Sequence, residues 1–528
     1  MKSNNILLPI WIAMALAVGL LLGAYLQKPG GGWLALGVSP EKQKLNRLID
    51  YIETEYVDVV PTDSIVDKTV NDILAQLDPH SVYIPASEYQ ENADEMRGKF
   101  VGVGISFYVQ NDTMAVIKPL KGGAAKTAGV LPGDRILYAD DVPLFNLQIP
   151  RDSLANKLRG PINSKVRVQF YRPRTDSIYE ITLPRTDVPL KSVEGSFFLE
   201  PTLGYIKVNR FAETTAQEFN EALKQLVVNG MEALVLDLRG NPGGYIVAAE
   251  AITDEFLPDG KLILITRDKQ QKEIKTYATS NGLFENKPVY VLIDEHAASA
   301  SEIVAGALQD QDAATIIGRR SFGKGLVQRE MPLGDGSAVL LTIARYYTPT
   351  GRSIQRDYSN GSDVYYSDYE NRYRNGELES KDSINTNTAP KFTTPAGKVV
   401  YGGGGIIPDV FIPKDTSLEQ EAVDFVSTAG YTDHFMFLYL DDKRNEFATY
   451  NAKSFLENIE ISDSLTNAFL RYARLNQARF NFKPYREVLK LKLKAALADQ
   501  LFDANLRLQI DNSADKALRK TQELFKAL

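Results

Sequence analysis

An apolar run ending at Asp294 leads into His296-Ala297-Ala298-Ser299-Ala300-Ser301-Glu302-Ile303, a turn of small residues that opens a helix. Such a turn can bare a hydroxyl at a helix N-terminus. Ser299-x-x-Glu302 also matches a capping box, in which the serine merely satisfies a backbone amide. Further on, Phe322-Gly323-Lys324-Gly325-Leu326-Val327-Gln328 sets a lysine between two glycines. The glycines disfavour a helix, so Lys324 is expected at the mouth of a strand, with Gln328 on the same face. A serine becomes a nucleophile when a base stands beside it, and lysine serves if burial lowers its pKa from about 10.4 far enough to free its lone pair. Gln328 would orient the amine without adding charge. Taken singly, a helix cap and a solvated lysine explain these residues; together they describe a nucleophile and its base.

Leu236-Asp237-Leu238-Arg239-Gly240-Asn241-Pro242-Gly243-Gly244 supplies a glycine-rich turn between a buried strand and a helix. Its amides can converge on an anion, as stabilisation of a tetrahedral intermediate requires, although a tight turn alone would also demand glycine. A phosphate loop is excluded because no Gly-Lys-Ser/Thr follows. Of the three histidines, His296 lies too close to Ser299 on the same tight turn to act as its base. His80 sits in a distant helix-to-loop segment, so a Ser-His-Asp triad is disfavoured. No metal-ligand spacing such as HExxH occurs, and neither metal nor cofactor is expected. A net charge of −7 without a basic run argues against nucleic acid, and the absence of cysteine removes disulfides and thiol chemistry.

The elements that must position these residues read as an α/β core. Strands are expected at Gly204 to Val208, Ala233 to Leu238 and Val289 to Asp294, and helices at Ala216 to Asn229, Tyr245 to Phe256 and Ser299 to Gln309. Residues 357–398 are polar and aperiodic, which reads as a surface insertion or mobile loop. Ahead of the core, residues 98–186 carry short β-rich runs broken by Gly, Pro and Asn/Asp, the pattern of a small independent module. Two helices fit residues 41–78, and 416–528 reads as helical, for example Arg486 to Leu506. Ile6 to Leu26 carries no charge and is long enough for a hydrocarbon core of roughly 30 Å. It reads as a span rather than a cleaved signal peptide, whose apolar region is typically about 7–15 residues. Lys2 and Lys28 favour a cytoplasmic N-terminus only slightly, which would place the rest of the chain outside the cytoplasm.

HAASASEIVAGALQD, the Gly-Lys-Gly element with its following glutamine, DLRGNPGG, Ala344 to Gln355 (ARYYTPTGRSIQ) and Gly405 to Val410 (GIIPDV) together resemble the carboxyl-terminal processing peptidases, or tail-specific proteases. The likeness runs over roughly residues 45–415. It implies an α/β multidomain serine protease with a crotonase/ClpP-like core, Ser299 as nucleophile, Lys324 as general base and Gln328 as its orienting partner. Gly243 or Gly244, with Ala300, would supply the oxyanion amides; Ser301 falls one step too far into the helix to compete with Ser299. The family often reads GSASAS where this chain has His296-Ala297-Ala298-Ser299-Ala300-Ser301, so its first glycine and serine are replaced.

Val101-Gly102-Val103-Gly104-Ile105 resembles the carboxylate-binding loop of PDZ domains, and Leu131-Pro132-Gly133-Asp134-Arg135-Ile136 another PDZ segment. The implied layout is a cytoplasmic N-terminus (1–5), an inner-membrane anchor (6–26), a linker (27–40), a helical region (41–97), a PDZ-like module (98–186), a periplasmic or otherwise extracytoplasmic catalytic core (187–415) and C-terminal helices (416–528). Its partners would be proteins with exposed apolar C-termini, with no nucleic acid. In this family the helical ends resemble regions that pair subunits, which makes a homodimer the expectation and leaves an adaptor protein open. Two rival readings stand beside the protease: an inactive PDZ scaffold, and a hydrolase of small esters or amides.

Overall fold

A computed structural model describes residues 39–110, 112–145, 151–441, 443–475 and 481–528, with positions 11, 13, 14 and 16–19 of the apolar N-terminal segment. Most of the expected span, 6–26, therefore lies outside the described residues. Among the described residues no helix is long and apolar enough to cross a membrane.

The chain divides into two compact units, residues 1–73 and 74–528. In the first, Pro40–Glu55 forms a helix capped by the Ser39 hydroxyl, with proline in its first turn where the missing N–H costs nothing. None of its residues is buried. A second helix begins at Thr62, so both helices expected in 41–78 are present.

In the second unit, a mostly parallel sheet forms the floor of the core. Its strand order is Val193–Glu200, Leu203–Val208, Ala233–Asp237, Val289–Ile293, Thr315–Gly318 and Val410–Phe411, and pairing is parallel from Leu203–Val208 onward. The two central strands are buried along their whole length, which is why they read as unbroken apolar runs. Helices Thr215–Val228, Ile246–Asp254 and Ala300–Asp310 cover one face through Phe219, Leu223, Ile252, Ile303 and Val304. The other face packs Tyr205, Val235, Tyr290 and Ile317 against Ala517 and Leu518 of helix Lys516–Lys526. A second, antiparallel sheet joins Val82–Ile84, Leu326–Pro332, Leu262–Asp268 and Glu273–Tyr277 around the long strand Ala338–Tyr347.

The β-rich module hangs from a neck in which Lys99–Gly102 pairs with Thr186–Pro189. Its sheet runs Ile105–Gln110, Thr113–Pro119, Arg135–Ala139, Lys165–Arg172 and Ser177–Pro184, and helix Arg151–Leu158 contributes Leu154 and Leu158 to its core. Strands Lys99–Gly102 and Ile105–Gln110 are separated at Val103 and Gly104, where Gly104 takes φ +77° and any Cβ would strike Gly123. In the Leu131–Asp134 turn, the buried Asp134 carboxylate accepts from the Leu131 amide, Arg172 and Tyr179.

Two expectations are corrected. The single helix over 486–506 is two, Arg486–Leu501 and Ala504–Asn512, because Asp503 takes an extended conformation and its side chain caps the second by accepting from Leu506 N. The segment 357–398 is not a loose loop. It folds into helices Ser362–Tyr366 and Asp368–Arg374 and buries Tyr365, Arg372 and Leu378. Its polar composition hid this, since the buried arginine is paired with Asp368.

Candidate active site

Two strand ends meet here. Strand Val289–Ile293 ends at Asp294, whose Oδ1 accepts from the amides of His296 and Ala297 and, across the sheet, from Gly240 N at 2.9 Å. Asn241 ties the same loops from the other side: its carbonyl accepts from Ala298 N at 3.0 Å and from the Ser301 hydroxyl at 3.0 Å. Ser301 is wholly buried in that contact, whereas Ser299 is half-exposed. The two serines thus differ in access.

Ser299 holds φ 54° and ψ −112° at the mouth of helix Ala300–Asp310, a conformation that costs a side-chain-bearing residue on the order of 1–3 kcal/mol. Glu302 maintains it. Its wholly buried carboxylate accepts from Ser299 N at 2.8 Å, Lys324 N at 2.9 Å, Gly323 N at 2.7 Å and the Ser321 hydroxyl at 2.5 Å. Burial raises its pKa, opposed by these donors. The capping glutamate thus joins the serine turn to the lysine loop. Tyr346, buried in the long strand, makes the same junction by donating to the carbonyls of Ser299 at 3.1 Å and Lys324 at 2.8 Å.

Lys324 lies two residues before strand Leu326–Pro332, and its Nζ donates to Gln328 Oε1 at 2.6 Å. Gln328 Nε2 in turn donates to the carbonyl of His80, which fixes its oxygen toward the amine. Burial pushes the Lys324 amine below lysine's ordinary value, against the opposing fields of Asp78 and Glu302. His80, expected to be remote, therefore lies beside the site. Strand Val82–Ile84 pairs with the long strand and carries the preceding loop in with it. Its ring, lowered to about 4 by burial and by Lys324, bonds the Tyr365 hydroxyl at 2.7 Å. His296 is exposed and stacks on Tyr369, and His434 bonds Tyr472 in the C-terminal helices.

Gly243, at φ +102°, sits so near the serine that a Cβ would come within 2.8 Å of Ser299 Cβ and 3.0 Å of Ala300 N; at Gly244 it would meet Phe211 O at 2.1 Å. The Gly243 amide already donates to Asn241 Oδ1 at 2.9 Å. The amides of Gly244 and Ala300 donate to no group among the described residues.

In the β-rich module, Gly102, Val103, Gly104 and Ile105 line a cleft of about 240 Å³ with Phe100, Phe107, Ala155 and Leu158; Val101 lies in the neck strand and is not part of the lining. Glu91 and Arg159 are its charged members. Ile105–Gln110 is the terminal strand of its sheet.

Peptidase family S41 matches residues 202–361, and a family of unknown function, DUF8443, matches residues 423–503. The carboxy-terminal-processing protease of Bartonella bacilliformis is 36% identical over 58% of this chain and 71% of its own length. The carboxy-terminal processing protease CtpB of Bacillus subtilis is 32% identical over 59% of this chain and 65% of its own. Among solved structures, a photosystem II D1 C-terminal processing protease aligns with TM-score 0.36 at 26% identity, over 70% of this chain and 86% of that one. The protein is a serine-type peptidase. It belongs to peptidase family S41, alongside the carboxy-terminal processing proteases.

Proposed function

We propose that this peptidase cleaves exported proteins selected by their C-terminal tails, using a Ser299–Lys324 dyad. The observation that carries this reading is the half-buried Lys324, its amine bonded to Gln328 Oε1 while Glu302 and Tyr346 fasten its backbone to that of Ser299. A neutral amine can donate to Gln328 and still direct its lone pair at a hydroxyl. Lys324 then takes the proton of Ser299 as Oγ attacks the peptide carbonyl, and returns it to the departing amine; a water repeats the sequence to release the acyl group. The amides of Gly244 and Ala300 are the donors available to the oxyanion, because that of Gly243 is engaged with Asn241. In the structure described, Lys324 donates to Gln328 rather than to Ser299, and the dyad's own bond would form as substrate excludes water from the site.

The cleft beside Val103 to Ile105 suits an extended peptide end. A terminal strand offers backbone pairing, and the Gly104 amide, which donates to no group among the described residues, suits a terminal carboxylate. This is the PDZ mode of capture, with an apolar terminal side chain packed against Phe107 and Leu158. The uncharged run Ile6 to Leu26 supports an anchor that holds the enzyme outside the cytoplasm.

The test is cleavage of an unstructured peptide with a free carboxylate. Ser299→Ala and Lys324→Ala should each abolish it, and the double variant should be no worse than either alone. Turnover retained by Lys324→Ala would overturn the dyad. For the wild type, the rate should climb with pH through the lowered lysine pKa, because only the neutral amine is a base.

A further inference from the structure

The S41 match ends at residue 361, and the segment that follows packs against both loops that set the catalytic lysine. Arg372, 2% exposed, donates from Nη1 to Arg320 O at 2.8 Å and from Nη2 to Phe322 O at 3.4 Å, while Asp368 holds its Nε at 2.6 Å. Asp368 also pairs with Arg356, whose amide donates to Gly323 O at 2.9 Å and whose guanidinium lies 4.4 Å from the Phe322 ring and 4.0 Å from that of Tyr365. Gly325 N donates to Gln355 Oε1 at 2.8 Å, and Gln355 donates onward to the Tyr365 hydroxyl. The backbone on each side of Lys324 is thus tied to one cluster. Tyr365 bonds the His80 ring, and Tyr366 donates to Pro79 O, so the same segment holds the loop whose carbonyl aims Gln328.

We propose that residues 362–377 form a clamp that positions the general base, with Arg372 and Tyr365 as its positioning residues. Neither touches the amine. They act by keeping the 320–325 and 78–81 loops closed around it, so that Lys324 stays out of water and Gln328 stays aimed. A buried arginine that satisfies two carbonyls of one loop resists replacement by lysine, which has no planar fork to span them. The groups whose charge reaches Lys324 are Asp78 from the 78–81 loop and Glu302 from the helix, while Lys324 and Arg356 in turn act on His80 beside it. Opening the clamp admits water to the amine and lifts the desolvation that favours its neutral form, so its titration moves to higher pH.

This proposal rests on the Lys324 assignment, and the experiment separates the two. The pH dependence of kcat and KM is measured on peptide cleavage by full-length wild type, Arg372→Lys and Tyr365→Phe, with melting curves for each. Tyr365→Phe removes one oxygen and keeps the ring, so it folds even if the arginine variant does not. The expected result is an unchanged KM and a midpoint of kcat raised by about one pH unit, which below the midpoint is about a tenfold loss of rate. A shift in either folded variant supports the clamp. A midpoint that stays at the wild-type value in Tyr365→Phe, and in Arg372→Lys if it folds, overturns it, however far kcat falls, since simple destabilisation removes active enzyme without moving a titration. Activity surviving in Lys324→Ala would instead remove the base assignment itself.

Discussion

Ser299 occupies a backbone conformation that glycine adopts freely and alanine does not. Ser299→Ala and Ser299→Gly should both be inactive, yet the glycine variant should be the more stable by about 1 kcal/mol, read by chemical denaturation. The proposed base carries a similar conflict between stability and function. Lys324 has a depressed pKa in the fold and an ordinary one, about 10.4, in the unfolded chain. Between those values the unfolded chain binds the extra proton, so the residue's cost to stability is full below the folded pKa and disappears as pH rises to the unfolded one. Lys324→Met should therefore abolish cleavage and raise Tm, with a larger gain near neutral pH than at pH about 10. Ser299, Lys324 and Gln328, the residues proposed for catalysis, stood out in the sequence by type and spacing. Glu302 was legible only as a cap, and Tyr346 not at all, because their further partners come from strands that nothing local in the sequence brings together.

At the scale of elements, the turn at Val103 and Gly104 and the helix Arg151–Leu158 make the module's cleft, and that geometry bears on substrate choice. Charge-assisted hydrogen bonds are worth on the order of 1.5–3 kcal/mol. A peptide amidated at its C-terminus should bind the protein roughly tenfold or more weakly than the free acid, and an Asp-terminated peptide should also be poor because its side chain would face Val103, Ile105 and Phe107, with the cleft's cation Arg159 already 3.9 Å from Glu91. Fluorescence anisotropy with matched peptides on Ser299→Ala protein checks this without turnover; equal affinities would remove the C-terminal preference and leave the peptidase. The module's strands were readable from their alternation and turn residues. The clamp at 362–377 was not, since short helices that bury tyrosine and a paired arginine leave no periodic apolar signal.

At the scale of the molecule, the C-terminal helices touch both working parts. Asp441 pairs with Arg135 and Asp499 with Lys118 on the β-rich module, while Asp515 holds Arg239 at 2.7 Å just before the glycine turn of the catalytic core. Helix Lys516–Lys526 also covers a sheet face that would otherwise present Tyr205, Val235, Tyr290 and Ile317 to water. A parallel sheet needs apolar cover on both faces, so this helix is part of the catalytic fold rather than an appendage. Two substitutions separate its structural from its positional contribution. Leu518→Ala removes a buried side chain and should cost about 2–5 kcal/mol of stability, lowering Tm with little effect on the kcat of the enzyme that remains folded. Asp515→Asn keeps the shape of the side chain and weakens its hold on Arg239, whose own loop continues through Asn241 to Gly243 and Gly244. Its stability loss should be smaller, about 1–3 kcal/mol for a partly buried pair, while kcat falls about tenfold at unchanged KM as the turn beside Ser299 loosens. Denaturation and steady-state kinetics on the two proteins check the contrast, and an Asp515→Asn enzyme with wild-type kcat would confine the C-terminal helix to covering the sheet.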